Sequence, residues 1–185
     1  MGLLVPHYAR YDSGRVIYVS TFSKMLMPGL RVGFVAVEGP LYERLVRLKR
    51  VNDVATANLI QRAVEAYVTV GRYQFHLRRS CQLYRKRRDA MMLAIGRYLP
   101  ADVRVAPPLG GLFVWLRLPE PLSADKLLPL ACAAGVAFSP GSTFFPDAAQ
   151  GTPFIRLNFA MQPPDEIEQG IKRLGKVIRK EVRER

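Results

Sequence analysis

Two apolar runs, Arg15-Val16-Ile17-Tyr18-Val19-Ser20 and Leu30 to Val37, are separated by a short segment that carries Thr21, Ser23 and Lys24, with Arg31 just inside the second run. The first is rich in β-branched residues and is entered from the turn-forming Asp12-Ser13-Gly14; the second is bounded by Pro28-Gly29 and Gly39-Pro40. Both are expected to be strands, with Thr21 to Met27 as a loop between them. A loop dense in chemical groups between two buried strands is where α/β folds place sites. Two strands alone are fewer than a stable parallel sheet requires, so this part of the chain is expected to be a portion of a larger sheet.

The texture then turns helical. Pro40 opens a predicted helix to about Arg50 with Leu41, Leu45 and Leu48 on one face; Ala55 to Val70 and Gln74 to Tyr98 continue the pattern, the last turning Leu77, Cys81, Tyr84 and Met91 or Met92 inward. After Pro100, strands are predicted at Val103 to Ala106 and Gly111 to Leu118, a helix over Ala124 to Ala134, and strands near Val136 and over Phe154 to Phe159. The closing helix starts at Pro163-Pro164-Asp165-Glu166 and buries Ile167, Ile171, Leu174 and Ile178. The predicted class is α/β: residues 1–50 form two strands of a larger sheet, 51–98 are connecting helices, and 99–185 form a small α+β domain.

The chain of 185 residues has 49% hydrophobic and 23% charged residues, a balance that excludes wholesale disorder. Its formal charge of +13 raises the question of nucleic acid, but the basic residues are spread over segments of helical period and no nucleic-acid motif accompanies them. Nucleic acid is therefore not an expected partner. Cys81 and Cys132 are too few for a disulfide framework or a zinc cluster, and no metal site is predicted. The apolar run Leu127 to Phe138 is too short to span a membrane and contains Pro129, while the start lacks a signal-peptide pattern. A cytoplasmic location is expected.

Chemistry concentrates at Lys24. A lysine amine can bond a carbonyl-bearing cofactor covalently and shuttle a proton once displaced. Thr21 and Ser23 add hydroxyl donors, and Arg31 adds an always-charged planar fork suited to phosphate. Pro28-Gly29 permits the return that brings Arg31 back toward the lysine. Arg156 lies within a predicted inner strand, a costly place for a guanidinium unless an anion pairs with it. Phe113, Trp115, Phe144 and Phe145 suit either a pocket lining or a core, and His76, among arginines on a helix, is expected at the surface.

Five segments in order, Ser20-Thr21-Phe22-Ser23-Lys24, Gly29-Leu30-Arg31-Val32-Gly33-Phe34, Gly110-Gly111-Leu112-Phe113-Val114-Trp115, Pro140-Gly141-Ser142-Thr143-Phe144-Phe145 and Phe154-Ile155-Arg156-Leu157-Asn158-Phe159, resemble the class I/II aminotransferases of pyridoxal phosphate fold type I. The branch that holds 2-aminoadipate and kynurenine aminotransferases is the most similar. The resemblance implies the C-terminal portion of that fold: two strands of the large-domain sheet, connecting helices and the small domain. It implies pyridoxal 5'-phosphate as cofactor, with Lys24 as the lysine that carries it and as the catalytic residue. Thr21, Ser23 and Arg31 match the phosphate cluster, and Arg156 matches the clamp on the substrate α-carboxylate. Amino acids and 2-oxo acids are the implied substrates, and a homodimer the implied assembly.

The chain also departs from the pattern. The family's glycine-rich phosphate loop, ring-stacking aromatic, asparagine, and ring-nitrogen aspartate with its tyrosine would all precede Met1, and Asp12 is too near Lys24 to serve as that aspartate. The chain is thus expected to be the C-terminal half of an aminotransferase, inactive or weakly active alone. Two alternatives remain at this point: the effector domain of a GntR/MocR-type regulator, and an inactive remnant. Gly110 to Trp115 and Arg156 favour the enzyme.

Overall fold

Apolar residues alternate with mixed ones along Phe113-Val114-Trp115-Leu116-Arg117 and again along Phe154-Ile155-Arg156-Leu157-Asn158. A strand pair with that period buries one face and leaves the other for different work. The computed structural model, which describes residues 16–183, pairs these segments antiparallel as β4 (Phe113–Arg117) and β6 (Phe154–Asn158), with Trp115 opposite Arg156. Short strands β3 (Arg104–Val105) and β5 (Ser139–Pro140) complete a sheet of order β3-β4-β6-β5. Val114, Leu116 and Ile155 are fully buried and Leu157 nearly so. They join one core with the helix Ala124–Ala133, the helix Pro164–Arg183 and the last turns of the helix Arg72–Tyr98.

The closing helix follows from its sequence. Pro164 occupies the first position, where no N–H is missed, Asp165 and Glu166 face the positive helix end, and Lys180 and Arg183 lie in the last turn. Ile167, Ile171, Leu174 and Ile178 fall on one stripe, and all four are buried as predicted. Each such side chain contributes about 1.5–3 kcal/mol. Gly175 lies where this helix meets the end of the long helix: a Cβ there would strike the Tyr98 carbonyl oxygen, which already accepts a hydrogen bond from Arg179 Nη1 at 2.6 Å.

The chain divides into two units, Met1–Cys81 and Gln82–Arg185, with the boundary inside the long helix. In the first, β1 (Tyr18–Thr21) pairs antiparallel with β2 (Gly33–Ala36), Thr21 opposite Gly33. Three helices follow: α1 (Leu41–Asp53), α2 (Asn58–Thr69) and the start of α3 (Arg72–Tyr98). The helices of the second unit are α4 (Ala124–Ala133), the short α5 (Ala148–Gly151) and α6 (Pro164–Arg183).

Three expectations need correction. Thr21 ends β1 rather than opening the loop, because its partner Gly33 extends the ladder by one pair; the expected start at Arg15 lies outside the described residues. The strand expected near Val136 forms at Ser139–Pro140, because the Val136 N–H still bonds the Ala131 carbonyl and Gly135 takes φ +78° to end α4. β2 starts at Gly33 rather than at Leu30, because Pro28–Leu30 form a 3-10 turn that leaves Arg31 at φ 52°; α1 forms as expected, and none of its residues is buried.

Gly175→Ala should lower the urea midpoint by an amount equivalent to about 1–3 kcal/mol. Gly170→Ala, on the same helix but with nothing within 4 Å of where its Cβ would stand, should be neutral or stabilising by up to about 1 kcal/mol. Equal effects at the two positions would refute the close approach of α6 to the end of α3.

Candidate functional site

The loop that joins β1 to β2 closes at its base by backbone and side chain together. Phe22 N–H donates to the Val32 carbonyl at 3.0 Å, and Thr21 Oγ1 donates to the same oxygen at 3.1 Å. Thr21 Oγ1 also accepts from the Ser23 N–H at 3.0 Å, which turns the chain at the lysine. Leu26 N–H reaches back to the Phe22 carbonyl, and Pro28 to Leu30 form a short 3-10 turn that ends at Arg31 with φ 52° and ψ 34°. A left-handed arginine costs conformational energy, so the fold holds this reversal against the residue's own preference. Ser23, Lys24 and Arg31 thereby sit within two residues of the Phe22 and Val32 closure.

Their environments differ. Ser23 is buried, and its hydroxyl has no partner among the described residues, whereas Lys24 and Arg31 are exposed and have no carboxylate partner among them. Thr21 spends its hydroxyl proton on Val32, so Ser23 offers the free hydroxyl and Thr21 braces the loop. One amine, one guanidinium and one free hydroxyl, with no carboxylate partner among the described residues, make a donor set of the chemistry that suits an anion.

Helix α3 supports the loop from its first turns. Tyr73 packs edge-on to Phe22 at 5.5 Å between ring centroids, and Phe22 lies 6.0 Å from Phe34 of β2. Partial burial, with a smaller contribution from Tyr18, raises the Tyr73 hydroxyl above its ordinary value of 10.0. His76 is not the surface residue expected: it is half-buried, and its Nε2 lies 2.9 Å from the carbonyl oxygen of Met25, directly after Lys24. Nε2 carries the proton in that contact, since a carbonyl only accepts. A lone histidine among arginines gives no sequence sign of a partner 51 positions away.

In the second unit the sheet face opposite the core carries Phe113, Trp115, Phe154 and Arg156. Trp115 stacks on Phe154 at 5.5 Å, Phe154 stacks on Phe145 at 5.6 Å, and Phe144 meets Trp115 edge-on at 5.6 Å. The Cζ of Arg156 lies over the rings of both Phe113 and Phe144, at 4.2 and 4.3 Å from the two centroids. Its Nη2 donates to Ser139 Oγ at 3.3 Å, its Nε is buried with no acceptor, and no carboxylate among the described residues pairs with it. This is a half-buried cation with most of its donors unused.

Known proteins decide the family. The family model for aminotransferase class I and II matches residues 3–174. The chain belongs to that family. It is 39% identical over 173 residues to aromatic-amino-acid aminotransferase 1 of Thermococcus litoralis, a match covering 93% of this chain and 41% of that protein. It is 36% identical over 173 residues to an uncharacterised HTH-type transcriptional regulator of Escherichia coli, covering 94% of this chain and 36% of the regulator. Among solved structures, the α-aminoadipate aminotransferase LysN of Thermus thermophilus aligns with a TM-score of 0.87 and 36% identity, over 97% of this chain and 46% of that one. The fold is a portion of fold type I, and the chain spans about two fifths of the length of the curated relatives it matches.

Two outcomes test the loop. His76→Ala leaves the Met25 carbonyl unpaired, and hydrogen exchange at the Leu26 and Met27 amides should rise about tenfold, the equivalent of roughly 1.4 kcal/mol; unchanged exchange would remove His76 from the loop's support. Because the folded Tyr73 holds its proton above 10.0, the unfolded chain ionises first, so stability is full below that pH and falls as pH rises through the folded value. Tyr73→Phe should flatten that alkaline loss in a denaturant series.

Proposed function

We propose that this chain is the lysine-bearing and carboxylate-binding portion of a pyridoxal phosphate-dependent aminotransferase, which exchanges an amino group between an amino acid and a 2-oxo acid. The observation that carries the reading is Arg156, a half-buried guanidinium with no counter-ion among the described residues and an orphaned Nε. A buried cation left without a partner costs several kcal/mol or more unless an anion is its usual company. Amino acids and 2-oxo acids share one anion, the α-carboxylate, which a planar guanidinium grips in two-point fashion.

The loop donors fit the cofactor: Lys24 supplies the amine, and Ser23 and Arg31 supply free donors for a phosphate, with Thr21 shaping the turn. When bound, pyridoxal phosphate supplies an electron-withdrawing ring that stabilises negative charge at the substrate Cα. Lys24 Nζ removes the proton from Cα and returns it on the other side of the exchange. Arg31 and the Ser23 hydroxyl hold the phosphate by charge-assisted bonds. Arg156 orients the substrate by its carboxylate, in the same way for the amino and oxo partners, so one grip serves both half-reactions. LysN, described in complex with N-(5'-phosphopyridoxyl)-L-leucine, supports the cofactor and substrate class.

We also take the working protein to be a cytoplasmic homodimer. Among the described residues no helix is long and apolar enough to cross a membrane. Val51, Val54 and Leu59, each at least 80% exposed, are apolar surface that an assembly would cover. The regulator relative keeps a second reading open, in which the chain binds an effector without turnover.

In the whole protein, added pyridoxal phosphate should give a visible absorption band that Lys24→Ala removes, and borohydride should fix the label on the peptide that holds Lys24. A band that survives Lys24→Ala would overturn the lysine assignment. Arg156→Lys should keep the band and raise KM for both amino acid and 2-oxo acid about 10- to 100-fold. Binding of both with no amino transfer would favour the regulator.

A further inference from the structure

Resting on the reading of Arg156 as the carboxylate anchor, we infer that Phe113 and Phe144 are positioning residues that clamp its guanidinium between two aromatic faces and so set the affinity for the α-carboxylate. The sheet register builds half of the clamp. Trp115 is directly opposite Arg156, and Phe113, two residues before it on the same face, is the diagonal neighbour whose ring reaches the guanidinium.

Phe144 supplies the other half from the 3-10 segment Gly141–Phe144. That segment is anchored at both ends of its turn. Thr143 Oγ1 donates to the Pro140 carbonyl at 2.8 Å, Ser142 Oγ donates to Asp125 Oδ1 at 2.6 Å, and Gly141 lies so close to Gly151 that a Cβ on either would collide with backbone. The Trp115 ring, edge-on at 5.6 Å, fixes the angle of Phe144.

The two rings are not ordinary core. Phe113 and Phe144 are 38% and 44% exposed, whereas Phe159 on the other side of the same sheet is 2% exposed. Rings that served packing alone would gain more by burial. What they cover is a cation: the Arg156 Cζ stands over both rings, and a ring quadrupole offers partial compensation of charge where no carboxylate among the described residues does. Approach to Arg156 is therefore left to the guanidinium edge. There Nη2 meets Ser139 and the remaining N–H groups have no acceptor among the described residues. A planar carboxylate arriving in that plane completes two parallel bonds with little loss of side-chain freedom, because the rings have already removed it.

The clamp acts on the part of the substrate that all 2-oxo acids share. Its loss should weaken pyruvate and 2-oxoglutarate by the same factor, which a side-chain pocket would not do. The test uses the whole protein, these two acids as probes, and Phe113→Leu, Phe144→Leu and Phe144→Tyr. Both leucine variants keep apolar volume but lose the π-face; each should raise Kd and KM about three- to thirtyfold for both acids with kcat little changed. Phe144→Tyr should stay within about twofold of the parent.

The Arg156 Nε–H resonance, assigned by its loss in Arg156→Lys, reads the clamp without catalysis. It should be shifted upfield by the flanking rings and move back in either leucine variant. Leucine variants that bind both acids as the parent does, or that weaken only one of them, overturn the clamp while leaving the carboxylate anchor intact. An upfield Nε–H in a protein that binds neither acid would overturn the anchor instead, and the affinity role with it.

Discussion

The pairing of Phe113–Arg117 with Phe154–Asn158 is the constraint on which the second unit depends. Side chains alternate along both strands, so one register assigns every residue of the pair to a face. In the observed register Val114, Leu116, Ile155 and Leu157 enter the core, while Phe113, Trp115, Phe154 and Arg156 face away from it. A slip of one residue would drive the Arg156 guanidinium into a core that holds Ile171, Leu174 and Ile178. The desolvation of an unpaired charge opposes that slip as strongly as the lost apolar burial does. The site residue therefore helps to specify the fold that displays it.

The lysine loop reaches order by a different route. It has no core of its own: β1 and β2 are four residues each, and Val32 and Ser23 are its buried members. Its shape comes from convergent hydrogen bonds, two of them on the Val32 carbonyl, and from α3, which contributes Tyr73 to Phe22 and His76 to the Met25 carbonyl. The turn that results keeps Lys24 exposed while the backbone on either side of it is tied down. That combination, an exposed side chain on a fixed base, is what the role proposed for Lys24 requires.

Much of this was legible from residue order. The stripe Ile167, Ile171, Leu174, Ile178 specified α6 and its buried face, and the alternation from Phe113 to Arg117 specified β4. The loop donors were legible as a group because lysine, hydroxyls, arginine and Pro-Gly lie within a few residues of each other. Three things were not legible, each for a physical reason. His76 acts through a backbone carbonyl, and carbonyls carry no residue identity. The aromatics near Arg156 belong to a face that is itself largely apolar, so alternation could not separate core from site. The stripe on α1 indicated a face with apolar character, but periodicity records that a face seeks cover and not what covers it.

The same distinction settles which of the many positive charges bear on function. A formal +13 suggests a surface property, yet several of the basic side chains have ordinary structural partners. Lys49 pairs with Asp53, Arg62 with Glu65 and Arg97 with Glu168 on exposed helix faces, where such pairs contribute little. Arg179 donates to the Tyr98 carbonyl and Arg87 to that of Ala160, although Arg87 Nε, like Arg156 Nε, is buried without an acceptor among the described residues. Arg156 differs from Arg87 in the two aromatic rings over which its Cζ stands, at 4.2 and 4.3 Å from their centroids. Lys24 and Arg31 stand apart because their loop is held in a costly turn and neither has a carboxylate partner among the described residues. Charge count says nothing about these positions. The donors left without acceptors among the described residues are the ones to which the proposed function gives an anion.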